Sequence, residues 1–136
     1  MSHFTYVKTQ FKNRGALIQA LHDIGYSHLE EGSDLPLYGY LGDRRPQTAD
    51  IVIRRKYLSI ASNDIGFKWK GDHYEAIISE YDRQVFPDFI PKVQRRYTYH
   101  ALLATAAEKG AEKGFTVESE SVDEQGQIKI VLGRWA

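Results

Sequence analysis

The sequence contains no cysteine among its 136 residues. Without thiolates the chain forms no disulfide, no iron–sulfur site and no zinc finger, and thiol catalysis is excluded. Small secreted domains usually carry disulfides, so a secreted protein of that class is not expected. A chain of this size buries roughly 68% of its unfolded surface on folding, so an ordinary hydrophobic core can stabilise it without a cross-link.

The sequence also lacks a long apolar run and an excess of charge of either sign. Hydrophobic residues make up 42% of the chain, and 18 lysines and arginines balance 18 acidic residues. We therefore predict one globular domain over residues 1–136 that does not enter a membrane. No apolar segment of signal-peptide length stands near the N-terminus, which favours a cytoplasm-like compartment.

The common catalytic and nucleotide-binding motifs are missing from the sequence. There is no GxGxxG, no GxxxxGKS/T, no GxSxG and no HExxH. We therefore predict no cofactor, no metal site and no catalytic residue. An enzyme that uses His73 and Glu75, or His100, stays as a third hypothesis. A solvated hairpin tip is the simpler explanation of His73 and Glu75, because lysines stand next to them in the expected hairpin.

Two segments have the periodicity of amphipathic helices. The first follows Asn13, a good N-cap, and its apolar residues recur at positions i, i+3, i+4 and i+7 until Gly25 ends the pattern. The second is expected to begin after Asp88 and to end at Gly114, since glycine is common at the C-terminal end of a helix. Both helices are expected on the same face of a sheet.

The clearest strand pair is a hairpin over residues 65–79. Gly71 and Asp72 form its two-residue loop, with glycine where a tight turn requires it. This loop places Trp69 opposite Tyr74. The same register puts the apolar side chains of both strands on one face, so the turn and the hydrophobic pattern select one pairing independently.

Turn residues divide the remaining strands. Gly32-Ser33-Asp34 predicts a turn, and a polar loop is expected over residues 42–46. The other strands are expected over residues 3–9, 26–31, 35–41, 49–55, 115–120 and 127–135, with a second hairpin turn at 123–126. Together these elements predict an α+β fold, with a single antiparallel sheet of about five to seven strands and two helices packed on one face.

Five short motifs occur in one order along the chain. They are MSHF at 1–4, DIGFKW at 64–69, RYTYH at 96–100, GF at 114–115 and LGRW at 132–135. In this order they resemble the hypothetical chloroplast reading frame thirty-five family, also known as domain of unknown function twelve fifty-seven, over essentially the whole chain. The resemblance implies a cyanobacterial, plastid or cyanophage setting, hence a cytoplasm or a plastid stroma, and carries over no catalytic residue.

The net charge of zero hides an uneven distribution. Residues 41–70 carry seven lysines and arginines against three acidic residues, a local charge of +4, whereas residues 97–136 carry four against six, a local charge of −2. Basic residues that share one sheet face with an exposed aromatic ring would form a platform for single-stranded nucleic acid. The basic candidates are Arg44, Arg45, Arg54, Arg55, Lys56, Lys68, Lys70, Arg95 and Arg96, and the aromatic candidates are Tyr57 and Trp69.

Two interpretations of these residues stay open. One is the nucleic-acid platform. In the other, the arginines at strand ends are simply solvated, and the aromatic rings belong to the core.

The missing catalytic motifs and the uneven charge favour a small non-catalytic binding or accessory protein that acts through contacts with a protein partner. Nucleic-acid binding is the first alternative, and an uncharacterised enzyme is the second. Exposed sheet edges are compatible with a dimer.

Overall fold

A computed structural model of the chain describes residues 2–112, 114–122 and 127–134. Within these ranges a short 3-10 turn, Arg55–Tyr57, accompanies seven strands and three α-helices. In chain order, the strands and helices are β1 Phe4–Phe11, α1 Arg14–Asp23, β2 Leu29–Tyr38, β3 Arg44–Ile53, β4 Ile65–Trp69, β5 Tyr74–Ser79, α2 Glu80–Val85, α3 Phe89–Glu112, β6 Phe115–Val122 and β7 Ile128–Arg134.

The first five strands form one antiparallel sheet in the order β1-β5-β4-β3-β2. The predicted α+β class with an antiparallel sheet is confirmed. The hairpin of β6 and β7 does not join this sheet and forms a separate two-stranded sheet that contacts α3. The reason is the length of α3, which continues for about three turns beyond Ala101, the last of its residues that packs on the main core.

Helices α1 and α3 cover one face of the five-stranded sheet, as expected. Leu17 of α1 and Val93 of α3 are fully buried in the core between the helices and the sheet. Asn13 caps α1 as predicted. The Tyr97 hydroxyl joins the two helices, because it accepts the backbone N–H groups of Lys12 at 2.8 Å and Asn13 at 3.0 Å. The start of α1 is therefore held against the middle of α3.

The second face of the sheet is buried by the protein's own hairpin. Phe4, Leu37, Ala49, Val52 and Ile77 form one buried cluster there. Phe4 belongs to the edge strand β1, whereas Leu37 belongs to the opposite edge strand β2. Arg45 of β3 lies over the ring of Phe4, with its guanidinium carbon 5.5 Å from the ring centre, so the β2–β3 hairpin folds across this face and the sheet is curved.

The folded hairpin reaches the start of β4. The N–H of Asp64 is donated to the carbonyl oxygen of Tyr38 at 3.0 Å. The N–H of Tyr40 is donated to the side-chain oxygen of Asn63, also at 3.0 Å. The tip of the β2–β3 hairpin and the segment that precedes β4 therefore form one continuous end of the molecule.

The β4–β5 hairpin has the register that the sequence predicts. Trp69 pairs with Tyr74, and Lys68 pairs with Glu75. Gly71 has a φ of +96°, in the left-handed region that glycine adopts without strain. The predicted pairing is therefore confirmed. It could be predicted from the sequence because the turn residues and the apolar alternation both act over a few residues and select the same register.

Two local predictions are wrong, and one helix was missed. Residues 32–34 form a bulge inside β2 rather than a turn, since the strand resumes its pairing with β3 at Leu35. Residues 44–46 begin β3 rather than lie in a loop, because the chain already reverses at Gly39 to Gly42. Helix α2 was missed because its six residues are too few to show a helical period.

The predicted turn at 123–126 and the closing residue Trp135 lie outside the described residues. In the ranges that the structure covers, no helix combines the length and the apolar composition needed to cross a membrane.

Replacing Gly66 with alanine should lower the free energy of unfolding by about 1–3 kcal/mol. A Cβ atom at this position would lie 2.5 Å from the Cβ of Ala49 and 3.1 Å from the Cδ2 of Leu37, so the β2–β3 hairpin would have to move away from β4. Denaturant unfolding followed by circular dichroism measures the difference.

Gly15→Ala in α1 is the matched control. A Cβ atom at position 15 would meet the Oδ1 atom of Asn13 at an ordinary 3.4 Å. Alanine also favours a helix over glycine, so this variant should keep or slightly raise the stability. Equal losses in the two variants would contradict the close approach of the hairpin to Gly66.

Candidate functional site

Arg54 is held inside a network of carboxylates. Its guanidinium forms ion pairs with Glu30 at 2.6 Å and with Asp64 at 2.7 Å, and it donates to the carbonyl oxygen of Pro36 at 2.7 Å. The hydrogen bond to Glu30 is the largest cause that raises the pKa of Arg54 above its ordinary value, although partial burial opposes it. The same bond lowers the pKa of Glu30. Arg54 therefore joins β2 to the start of β4, and its positive charge is compensated by Glu30 and Asp64.

Arg45 and Lys68 are also paired. Arg45 lies 2.6 Å from the Asp43 carboxylate, donates to the carbonyl oxygen of Ser2 at 3.1 Å and covers the ring of Phe4. Lys68 forms an ion pair with Asp34 and lies 3.7 Å from an oxygen of Asp50. The hydrogen bond to Asp34 is the largest cause that raises the pKa of Lys68.

Three further basic candidates flank β3, and the Nζ atom of one of them, Lys56, lies 5.1 Å from the centre of the Tyr57 ring. Arg44, Arg55 and Lys56 form no ion pair within the described part of the chain, although Arg55 donates to the carbonyl oxygen of Ile60 at 3.5 Å. Tyr57 is not a free stacking platform, because its ring stacks on His28 with centroids 4.8 Å apart. We call Arg44, Arg55 and Lys56 the basic rim.

The basic candidates do not all share one face. Arg95 and Arg96 lie on α3, which covers the opposite face of the sheet from Arg54 and Lys68. Arg96 pairs with Asp23 at 2.8 Å, and Lys70 lies over the exposed ring of Tyr6. Arg95 and Arg96 therefore lie apart from the other basic candidates, and nucleic-acid binding stays a prediction.

The histidine candidates lie at opposite ends of α1. His73 contacts Asp72 at 2.6 Å in the β4–β5 turn. His100 contacts Asp23 at 2.6 Å at the end of α1. Among the described residues, no group of three or more histidine, aspartate or glutamate side chains could hold a metal ion.

An apolar surface lies beside the basic rim, and the sequence did not identify it. Tyr40, Ala61 and Tyr81 line a cleft of about 260 Å³. Leu41 is 69% exposed and Ile60 is 96% exposed, and each is next in the chain to a lining residue. We call these five residues the apolar end surface. The signal available in the sequence was Ile60, an aliphatic residue in the segment that links β3 to β4.

Buried polar groups hold the backbone of this surface in place. Ser79 caps α2 and donates to the Asp82 carboxylate at 2.7 Å. That carboxylate also accepts the N–H of Asn63 at 3.0 Å, and Asn63 in turn accepts the N–H of Tyr40. Loops fixed by buried hydrogen bonds lose little conformational entropy when a partner binds. The apolar end surface is therefore preorganised.

Lys68 and Trp69 are the two sequence candidates that line a second cleft, at the other end of β4. Lys12, Arg14 and Tyr74 line it with them. These three residues are not among the sequence candidates, because Lys12 and Arg14 reach the β4–β5 hairpin through the long-range pairing of Phe11 in β1 with Tyr74 in β5. No local pattern in the sequence carries that information.

Comparison with known proteins places the chain among proteins of unknown activity. A family model described as "Protein of unknown function (DUF1257)" matches residues 20–131. The chain is 32% identical over 141 residues to the "Uncharacterized protein ycf35" of Guillardia theta, with 99% of this chain and 98% of the relative covered. It is 31% identical over 139 residues to the protein of the same name from Cyanophora paradoxa, with the same coverage. No solved structure matches.

The resemblance that the five motifs predicted is thereby confirmed.

Asp23→Asn should lower the free energy of unfolding relative to wild type at neutral pH, and the difference between the two proteins should be smaller in acid. Burial alone would raise the pKa of Asp23, but hydrogen bonds and charge from His100 and Arg96 lower it below its ordinary value. A lowered pKa in the folded state stabilises the protein above the unfolded carboxyl pKa of about 4, and this contribution disappears as the pH falls through the folded pKa. Urea unfolding of wild type and variant at about pH 5 and about pH 2 measures the change.

A stability difference that stays constant between these two pH values would contradict the role of the Asp23 carboxylate. His100→Gln removes one of its two side-chain partners. That variant should show a weaker pH dependence than the wild type.

Proposed function

We propose that this chain, which belongs to the DUF1257 family, is a non-catalytic binding protein that acts through the apolar end surface. The observation that carries the proposal is Ile60, which is 96% exposed although Asn63, three residues further along, is held by a buried hydrogen bond to Asp82. Contiguous apolar residues on a rigid surface are typical of protein–protein contacts. Fully burying an aliphatic side chain of this size contributes about 1.5–3 kcal/mol.

The basic rim determines the kind of partner. Arg44 directly follows the turn that carries Tyr40 and Leu41, Arg55 donates to the carbonyl oxygen of Ile60, and neither forms an ion pair with other described residues. A partner segment that combines apolar side chains with carboxylates would fit both features. Its apolar side chains would be buried against Leu41 and Ile60, and its carboxylates would pair with the basic rim. The proposed occupant is therefore an acidic, apolar segment of another protein.

The two alternatives receive less support. Arg45, Arg54 and Lys68 already contact carboxylates, so they offer little charge to the phosphates of a nucleic acid. For an enzyme, His73 and His100 are held apart at opposite ends of α1, and each contacts an aspartate of its own. The setting that goes with the proposal is the cyanobacterial, plastid or cyanophage one, in a cytoplasm or a plastid stroma.

Ile60→Asp should abolish capture of the partner without unfolding the protein. The change places a carboxylate where the partner's apolar and acidic groups would lie, and an exposed residue contributes within about 0.5 kcal/mol to stability. Tagged wild type and variant are incubated with an extract of a photosynthetic host, and the proteins recovered are compared. Leu102→Asp is the matched control, since Leu102 is also exposed but lies on α3.

A purified partner then gives the decisive measurement. Ile60→Asp should weaken its direct binding by at least about tenfold, as expected for a central contact. Arg44→Glu should weaken it too, in a manner that fades with salt, and Leu102→Asp should leave it unchanged. The proposal is wrong if no captured protein depends on Ile60, or if the wild type forms a dimer that Ile60→Asp dissociates, because a second copy would then be the occupant.

A further inference from the structure

A cleft of about 470 Å³ opens at the end of β4, at the opposite end of that strand from the apolar end surface. Trp69, the last residue of β4, lines it together with Lys12 and Arg14 at the junction of β1 and α1. Sites for small molecules usually measure roughly 300–1,000 Å³. The cleft therefore has the size of a site for one small ligand.

The Asp50 carboxylate holds this cleft open. Strands β3 and β4 pair only over Ile51–Ile53 and Ile65–Phe67. Beyond them the N–H of Trp69 is donated to one Asp50 oxygen at 2.7 Å, and the N–H of Asp34 to the other at 3.1 Å. The Asp50 side chain thus accepts backbone N–H groups that a neighbouring strand would accept in a regular sheet. At this point β3 and β4 are no longer paired.

The wall of the cleft on the β2 side is also irregular. Asp34 lies in the bulge of β2 and has a φ of +55°, which a residue with a side chain rarely adopts. Such backbone conformations cost of order 1–3 kcal/mol and cluster at ligand sites. Asp34 keeps this conformation because its N–H reaches Asp50 and its carboxylate reaches Lys68.

The opposite wall presents an aromatic surface. The indole of Trp69 is 41% exposed where it lines the cleft. Its ring is held against Tyr74, with centroids 4.9 Å apart and planes inclined by 59°. Tyr74 is itself buried, and its hydroxyl accepts a hydrogen bond from Arg14 at 2.9 Å. A half-exposed indole fixed in this way offers a stacking surface to a planar ring.

Cations stand next to this aromatic surface. Arg14 is positioned by Tyr74 and by Glu31, which lies 3.0 Å away. Lys12 is exposed at the rim of the cleft and forms no ion pair within the described residues. Arg14 and Lys12 are close in sequence at the same junction. An anionic group there would meet the charge of Lys12, which has only Asp72 nearby, and the N–H donors of Arg14, whose own charge is compensated by Glu31, while a ring attached to the anion stacks on Trp69.

We propose that this cleft binds a nucleotide, with the base stacked on the Trp69 indole and the phosphate beside Lys12 and Arg14. The nucleotide is either a free one or one unit of a single strand, since both present the same ring and phosphate. The site is independent of the proposed protein contact, because the apolar end surface lies at the start of β4 and Trp69 lies at its end. It also differs from a basic sheet face, because Lys12 and Arg14 lie outside residues 41–70.

Titration of the full chain with adenosine monophosphate and with a single-stranded adenylate 12-mer tests the proposal. Binding is followed by calorimetry and by the shift of the indole N–H resonance of Trp69. Trp69→Ala and Lys12→Glu should each weaken binding by at least about tenfold, while Trp69→Phe should keep most of it. Lys56→Glu makes the same charge change at the other end of β4 and should alter the affinity less than about twofold.

Each outcome decides the question. Binding of the monophosphate that depends on Trp69 and Lys12 assigns the cleft to free nucleotides, and the same dependence seen only with the 12-mer assigns it to single strands. Adenosine and ribose 5-phosphate, offered separately, should each bind more weakly than the monophosphate. No saturable binding of either probe overturns the proposal, and so does binding that Lys56→Glu weakens as much as Lys12→Glu. Thermal unfolding checks that the variants are folded.

Discussion

The carboxylate of Asp64 lies 1% exposed at the start of β4 and accepts hydrogen bonds from three directions. The N–H of Tyr38 is donated to it at 2.9 Å, the N–H of Arg55 at 2.8 Å and the guanidinium of Arg54 at 2.7 Å. A buried charge costs several kcal/mol unless it is paired and hydrogen-bonded in this way. Asp64 therefore ties the β2–β3 hairpin to β4, and the curvature of the sheet depends on that connection.

Curvature gives the two ends of β4 different surfaces. At the first end, the hairpin tip brings Tyr40 into one cleft with Ala61, and Leu41 and Ile60 are their neighbours in the chain. At the second end, the strands separate around Asp50 and leave a cleft beside Trp69. At both ends a buried carboxylate, Asp64 or Asp50, accepts backbone N–H groups in place of regular pairing between strands. Where the strands are not paired, side chains can form a surface for a ligand or a partner.

The distribution of charge in the folded structure differs from the distribution along the sequence. Half of the positive excess of residues 41–70 is compensated by Glu30 and Asp34, which belong to β2 and lie outside that segment. A segment count includes only neighbours in sequence, whereas an antiparallel sheet pairs residues twenty or more positions apart. Among the described residues, the basic side chains without a carboxylate partner include Arg44 and Arg55, at the two ends of β3, and Lys12 before α1.

Sequence alone determined the features that depend on near neighbours. The first helix with its Asn13 cap, the register of Trp69 with Tyr74, the α+β class and the family follow from turn residues, periodicity and ordered motifs. Tertiary structure decided the bulge at Asp34, the folded hairpin and both candidate surfaces. These depend on hydrogen bonds between distant residues, such as that from the N–H of Asp34 to Asp50, and such bonds form only when the strands have already come together.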